Sequence, residues 1–563
     1  MDTNKHEFPA ANSVVRFLNS FVSIRVHSWF AVFLLLLVAG CGKRETRVEW
    51  ANRNQILLKG SGTEPKDLDP HVATGVTENH IIMALLEGLV AEDPVDLHPV
   101  PGVAESWDIS PDGKVYTFHL RANAKWSNGE TVTARDFYET YKRILTPSLA
   151  SEYSYMHFVV KNAEAFNTGK VTDFSQVGYK VIDDRTLQIT LENSTPYFLS
   201  LLNHMSWYPV HMPTIAKYGK AYERGSKWTR PGHYIGNGPF VLDTWRVNDV
   251  IILKKSPTYW DKDTVKLKEI RFYPIEDNNS EERAFRAGQL HVTETIPLAK
   301  IETYKTQHKD VYNFGPYLGT YFYRLNVTKP PLTDKRVRRA LAMAIDRESL
   351  VAKVTRGGQL PAYNFTPPGT AGYDCRAKFS VDIAAAKKLL AEAGYPDGKG
   401  FPDVEILFNT SESHKAIAEA IQQMWKQNLN IEVKLVNEEW KVYLDSTHTL
   451  HYQMARAAWI ADYVDPNSFL DMWLTGGGNN ETGWANKDYD ALIGDASREG
   501  DPQKRQEIFQ KAEALLLDEM PIIPIYFYTR QCLKRPELKG WYPNILDNHP
   551  YKHVYLETTN GHE

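Results

Sequence analysis

Residues 404–436 constrain the fold more than any other stretch of the chain. "VEILFN" (404–409) is an apolar run of strand length. Ser411–Ser413 then supply the hydroxyls that favour a helix start. Ile417, Ala420, Ile421, Met424 and Trp425 recur at helical spacing on one face, and "IEVKLV" (431–436) reads as a second strand. Strand, helix of about four turns and strand make a βαβ unit, which demands a parallel pair and a right-handed crossover. Alternating strands at 115–120 ("VYTFHL"), 187–191 ("LQITL") and 250–255 ("VIILKK") add antiparallel character. Amphipathic helices are expected at 334–354 and 380–393. The class is α/β, and 563 residues call for two or three domains rather than one core.

The N-terminus points to export. Arg16 and Arg25 precede a short apolar block, Trp29 to Val38, that ends in Ala39-Gly40-Cys41. The block is about half of the roughly 20 apolar residues that cross a bilayer, so it has the size of a signal-peptide core. Val38-Ala39-Gly40-Cys41 resembles the bacterial lipobox, which makes Cys41 a lipidated first residue of the mature chain. Residues 1–41 are therefore read as a lipoprotein signal peptide and 42–54 as a polar tether. The long leader before the block leaves room for a start codon downstream of Met1. Cys375 and Cys532 remain in the exported part; two distant thiols define neither a disulfide framework nor a metal motif.

A net charge of −4 with interspersed acids and bases lacks the basic footprint of a nucleic-acid binder. No HExxH box, P-loop or G-x-S-x-G elbow occurs, "GNGPF" (236–240) reads as a turn, and no cofactor or metal is implied. The 30 Tyr and 14 Trp suit a ligand cleft and a Tyr-rich β scaffold equally. In "ARAAWIADYVDP" (455–466), Asp462 follows a small apolar run and precedes Tyr463. It is a buried functional acid or part of a solvated Asp-Pro turn, and Asp465 is its nearest candidate for a catalytic carboxylate pair. Asn409 and His414 lie beyond the carboxyl end of a strand, where open α/β sheets bind ligands. A lone His at a helix start is more often a cap.

Several segments taken together carry a resemblance. They include "EPKDLDPHVATGV" (64–76), "LLEGLVAEDP" (85–94), "PVPGVAESWDISPDGKVYTFHLRANAKWSNGETVTARDF" (99–137) and "NGPFVLDTWRVNDVIILKKSPTYWD" (237–261). They continue through "DKRVRRALAMAIDRESLV" (334–351), "PAYNFTPPG" (361–369), "FNTSESHKAIAEAIQQMWKQNLNIEV" (408–433), "EEWKVYLDSTH" (438–448), "ARAAWIADYVDPNSFLDMW" (455–473) and "MPIIPIYFYTR" (520–530). In this order they resemble the solute-binding proteins of peptide-importing ABC transporters, most closely the oligopeptide-binding members. The resemblance implies the three-domain periplasmic binding-protein fold. A discontinuous lobe I would span 55–86, 213–318 and 530–560, an inserted domain II 87–212, and lobe III 319–529. It also implies a monomer that captures short peptides between hinged lobes, hands them to ABC permease subunits, sits on the membrane through Cys41, and does no chemistry.

By that resemblance Asp462 holds the peptide α-ammonium, and Arg456 and His414 meet the terminal carboxylates of peptides of different length. Ala458 and Trp459 offer main chain from one lobe, and Gly75 and Val76 from the other. Tyr153, Tyr317, Asn409 and Trp440 line side-chain pockets. The chain departs from the family pattern where further basic positions fall on Thr355 and Thr447, with Arg356 adjacent to the first as a possible substitute. A cysteine pair near the site falls on Gly319 and Ile460, and a pocket tyrosine near Glu294. Three alternatives stay open: a narrower binder of murein tripeptide or dipeptides, a secreted hydrolase built on paired carboxylates, and an adhesin or surface scaffold.

Overall fold

A computed structural model describes residues 45–558. The signal peptide and Cys41 lie outside the described residues. A four-stranded sheet orders Ile56–Gly60, Glu269–Tyr273, Val250–Lys255 and Phe240–Arg246, with the first pair parallel and the others antiparallel. A second, fully antiparallel sheet of Ala104–Ile109, Val115–Leu120, Thr186–Thr190 and Tyr179–Asp183 comes from the intervening chain. A six-stranded sheet orders Leu360–Pro361, Ile522–Leu533, Tyr312–Leu325, Met454–Ile460, Val404–Asn409 and Val433–Glu438. The mixed α/β class is as expected. Among the described residues no helix is long and apolar enough to cross a membrane.

The βαβ unit forms with Val404–Asn409 and Val433–Glu438 parallel and in register from Val404↔Val433. Its helix, Glu412–Leu429, is a turn longer than expected. Ile417, Ala418, Ile421, Trp425 and Leu429 are its buried positions, whereas Ala420 and Met424 flank that stripe. Trp425 donates its indole N–H to Leu341 O at 2.9 Å, which satisfies its one polar atom inside the core.

Two strands join the lobes. Tyr312–Leu325 and Ile522–Leu533 pair antiparallel from Tyr312↔Leu533 to Arg324↔Ile522, with an irregularity between Pro316 and Thr320. At one end Thr293 N donates to Leu533 O at 2.9 Å, which ties the pair to the first lobe. At the other end the same strands are central in the six-stranded sheet of the second lobe. A two-stranded ribbon broken by a bulge is a natural place for lobes to rotate.

Two expectations are corrected. Arg47–Asn54 is a helix, not a tether: Thr46 and Glu49 form a reciprocal capping box, and Val48, Ala51 and Asn52 are buried. The stretch is polar in composition, but its few buried positions share one face. The single helix expected over 334–354 is broken into Lys335–Met343, Arg347–Ser349 and a π-helical Leu350–Thr355. Arg347 is fully buried and donates to Ala342 O, Ile345 O and Pro524 O at 2.8–3.0 Å. Its guanidinium thus occupies the carbonyls that a continuing helix would have used, while Asp346 caps the next turn through Ser349 N. Cys375 and Cys532 are both buried and free.

Candidate functional site

Strand Met454–Ile460 organises the site. Along one edge it pairs antiparallel with Tyr312–Leu325, Thr320 facing Trp459 and Tyr321 facing Ala458. On its other edge the pairing with Val404–Asn409 stops after Ile406↔Met454 and Leu407↔Ala455. From Arg456 onward this second edge has no strand partner among the described residues. It borders a cavity of ≈ 420 Å3 between the lobes. Arg456, Ala458, Trp459, Asp462, Asn409 and His414 line that cavity from one lobe. Gly75, Val76, Tyr153, Tyr317 and Trp440 complete it, so the structure brings every predicted peptide-binding residue to one space.

Asp462 stands just past the end of the strand. Its own N–H donates to Ser468 Oγ at 2.8 Å, and Trp459 donates to Ser468 O at 2.5 Å, which fixes the turn that presents the carboxylate. Tyr153 OH donates to Oδ1 at 3.4 Å, and His204 Nε2 lies 3.4 Å from the same oxygen. Oδ2 is buried without a hydrogen-bond partner. Burial pushes the Asp462 carboxyl up to about 8 despite the Tyr153 hydrogen bond. Burial also holds His204 down to about 3, so this imidazole is neutral and supplies no counter-charge. Asp465 does not pair with Asp462 as a second acid. It is clamped by Arg505 at 2.8 and 2.9 Å and accepts from Asn467 N at 2.9 Å.

Arg456 lies on the same strand. Its guanidinium donates to Asn409 Oδ1 at 3.2 Å and to Tyr528 OH at 3.1 Å, and stacks 5.1 Å over the Tyr321 ring. Its Nε is buried without a partner. His414 Nδ1 is likewise unpartnered, and burial together with Arg456 keeps His414 well below the usual imidazole range. His414 therefore offers a neutral N–H rather than a charge. Arg356 does not stand in for a basic residue at Thr355: it is exposed and donates to Lys353 O at 2.8 Å, whereas Thr355 lines the cavity and donates to Gln359 Oε1 at 2.9 Å.

Gly319 and Ile460 face each other across the strand pair, and a Cβ on Gly319 would lie 2.3 Å from Ile460 Cδ1. Glu294 lines the cavity but is taken by Lys59 at 3.2 Å and Arg530 at 3.1 Å, cations that outweigh burial and hold its carboxyl low. Gly75, the residue before helix Val76–Leu85, must be small. A Cβ there would sit 2.0 Å from Glu78 Oε2 and 3.3 Å from the Trp440 ring. Trp440 in turn donates to Glu78 Oε1 at 3.4 Å from the opposite lobe. Lys66 to Asp445 at 2.5 Å and Asn279 to both Glu412 oxygens at 2.7 Å also bridge the lobes. His204, Tyr528 and Glu78 were not singled out from the sequence, since each acts through a partner remote along the chain.

Residues 98–481 match the bacterial extracellular solute-binding proteins, family 5 middle region. The periplasmic oligopeptide-binding protein OppA of Escherichia coli (strain K12) is 39% identical over 518 residues, covering 89% of this chain and 92% of that protein. The solved structure of the E. coli murein tripeptide binding protein MppA superposes with a TM-score of 0.85 at 35% identity, covering 89% of this chain and 98% of that one. Its unliganded open form, over 89% and 97%, reaches only 0.59, so the lobes here are not in that open arrangement. Haemophilus influenzae OppA in complex with the peptide RPPGFSPFR superposes at 0.84 with 33% identity, over 89% and 99%. With the fold, the two-lobe cavity and these likenesses together, the chain belongs to the bacterial extracellular solute-binding proteins of family 5.

Proposed function

We propose that this protein captures short peptides in the interlobe cavity and delivers them intact to the permease of an ABC importer. One observation carries the reading: a buried carboxylate with no counter-charge stands at the end of an open strand edge. An extended peptide adds itself to such an edge through main-chain hydrogen bonds, independent of its sequence. Its α-ammonium supplies the charge that Asp462 lacks. At about 4 Å and an effective dielectric near 20 the attraction is roughly 4 kcal/mol before desolvation is subtracted.

In this reading Ala458 and Trp459 give main chain from one lobe, and Gly75 and Val76 from the other. Tyr153, Tyr317, Asn409 and Trp440 bound side-chain pockets in which water adapts to different residues. Arg456 receives the terminal carboxylate, since a guanidinium can bond it in bidentate fashion. His414 assists as a neutral donor. The protein acts by binding alone, as a monomer. The three-part segmentation at 55–86/213–318/530–560, 87–212 and 319–529 is supported by the sheets, each of which draws its strands from one of these parts apart from the two joining strands. Residues 1–41 act as an export signal and Cys41 as the lipid anchor that holds the protein at the outer face of the membrane. Labelled palmitate should be incorporated by the full chain and not by its Cys41→Ser variant; equal labelling of both would remove the anchor.

Free-amine tri- to pentapeptides should raise the melting temperature and be recovered uncleaved. N-acetylated versions should bind at least about tenfold more weakly, the scale of losing one hydrogen-bonded charge. Asp462→Asn should weaken free-amine peptides to a similar degree and narrow the difference between the two series. Equal binding of acetylated and free peptides by the unmodified protein would overturn the role of Asp462, and cleavage would overturn the binding-only reading.

Protonation of Asp462 sets a further expectation. Its carboxyl sits near 8 in the closed cavity, against an ordinary value near 4 when solvated. Closing without an ammonium therefore costs most above pH 8, and the cost fades as pH falls toward 4. Small-angle scattering of ligand-free protein should show a more compact average at pH 5 than at pH 8, with Asp462→Asn compact at both. A pH-independent radius in the unmodified protein would contradict this.

A further inference from the structure

Asp462 is not the only cavity carboxylate without a counter-charge. Glu294 is neutralised by Lys59 and Arg530, and Glu481 by Arg324. Glu92 has no such partner. It ends the strand Val90–Glu92, is only 9% exposed and lines the same cavity. Its one hydrogen bond comes from the Asn548 side-chain amide to Oε2 at 2.9 Å. Among the described residues no cation lies within ion-pair distance. Burial, partly offset by Asn548, pushes the carboxyl up to about 7.

A second, independent orphan lines the same cavity. Asn203 is 9% exposed, and neither its amide oxygen nor its amide nitrogen has a hydrogen-bond partner. It precedes His204, which touches Asp462, and the same segment runs on to Tyr208, whose hydroxyl feels the Glu92 charge. Met83 and Tyr208 add apolar lining to the cavity. Buried amides and carboxylates left unpaired are costly, and a ligand group that completes them recovers part of that cost.

We propose that Glu92, with Asn203 and Asn548, forms a subsite for the ammonium or guanidinium of a basic ligand side chain, whose methylene stem packs on Met83 and Tyr208. The inference rests on the peptide-binding reading above and adds a selectivity to it: a cavity that accepts many peptides favours those carrying Lys or Arg at one position. The long basic side chains suit such a site because an apolar stem reaches a charged end.

The test is calorimetric titration of three tripeptide pairs, with lysine or its uncharged analogue norleucine placed in turn at each position of an alanine background. The unmodified protein should prefer lysine by about tenfold or more at one position, as expected for a charge-assisted hydrogen bond. Glu92→Gln, which keeps the shape and a hydrogen-bonding end, should bring that ratio close to one. Glu276→Gln, at a half-buried cavity acid, should leave the ratio in place. A ratio near one at every position in the unmodified protein overturns the proposal without any variant. So does a ratio that survives Glu92→Gln, or one that is lost in Glu276→Gln instead. Absence of binding by all of the peptides would count against the peptide-binding reading itself, whereas binding without a lysine preference would remove only the Glu92 subsite.

Discussion

The carboxylate of Asp462 is the constraint on which the rest of the site depends. An ionised acid removed from water without a partner is unfavourable by several kcal/mol. The turn that holds it is nevertheless tied to Ser468 by both the main chain of Asp462 and the indole of Trp459. Tyr153 and His204 approach from the inserted sheet domain, yet neither brings a charge. In the proposed reading, the α-ammonium of a peptide supplies the cation that this buried acid lacks. On that reading closure and occupancy are coupled, which is what a carrier needs if its closed state is to report that it is loaded.

The joining strands and the bridging contacts divide the labour. Tyr312–Leu325 and Ile522–Leu533 keep the lobes in one covalent and hydrogen-bonded frame, and their bulge leaves room for rotation. Contacts across the cleft include the polar pairs Lys66 with Asp445, Asn279 with Glu412 and Trp440 with Glu78, and a stacked ring pair, Tyr197 on Tyr463 at 5.2 Å. An exposed pair such as Lys66–Asp445 is worth little on its own.

Much of this was legible in the sequence, for reasons that differ by residue. The βαβ unit was readable because its signals are local: a strand run, helical periodicity and a second run within 404–436. Asp462 stood out because an acid directly after a buried strand is anomalous, although its role came only from the family likeness. Arg47–Asn54 does not stand out as a helix because three buried positions in a polar octet carry little average hydrophobicity, and only the capping-box spacing of Thr46 and Glu49 marks it. The break in 334–354 depends on Arg347 reaching Pro524, far along the chain, and no periodicity announces that. His204, Tyr528 and Glu92 share the same difficulty. Each is ordinary in its own neighbourhood and acquires its meaning from Asp462, Arg456 or Asn548, which only the folded chain brings near.

The most direct test of the central claim is to identify what the protein carries from the cell. Protein purified without added ligand should be denatured and the released small molecules identified by mass spectrometry, with intact mass measured under native conditions beforehand. The account predicts a mixture of short, uncleaved peptides with free amino termini, displaced together when a defined free-amine peptide is added in excess. Recovery of amino-blocked peptides, or of a single non-peptide solute, would contradict it.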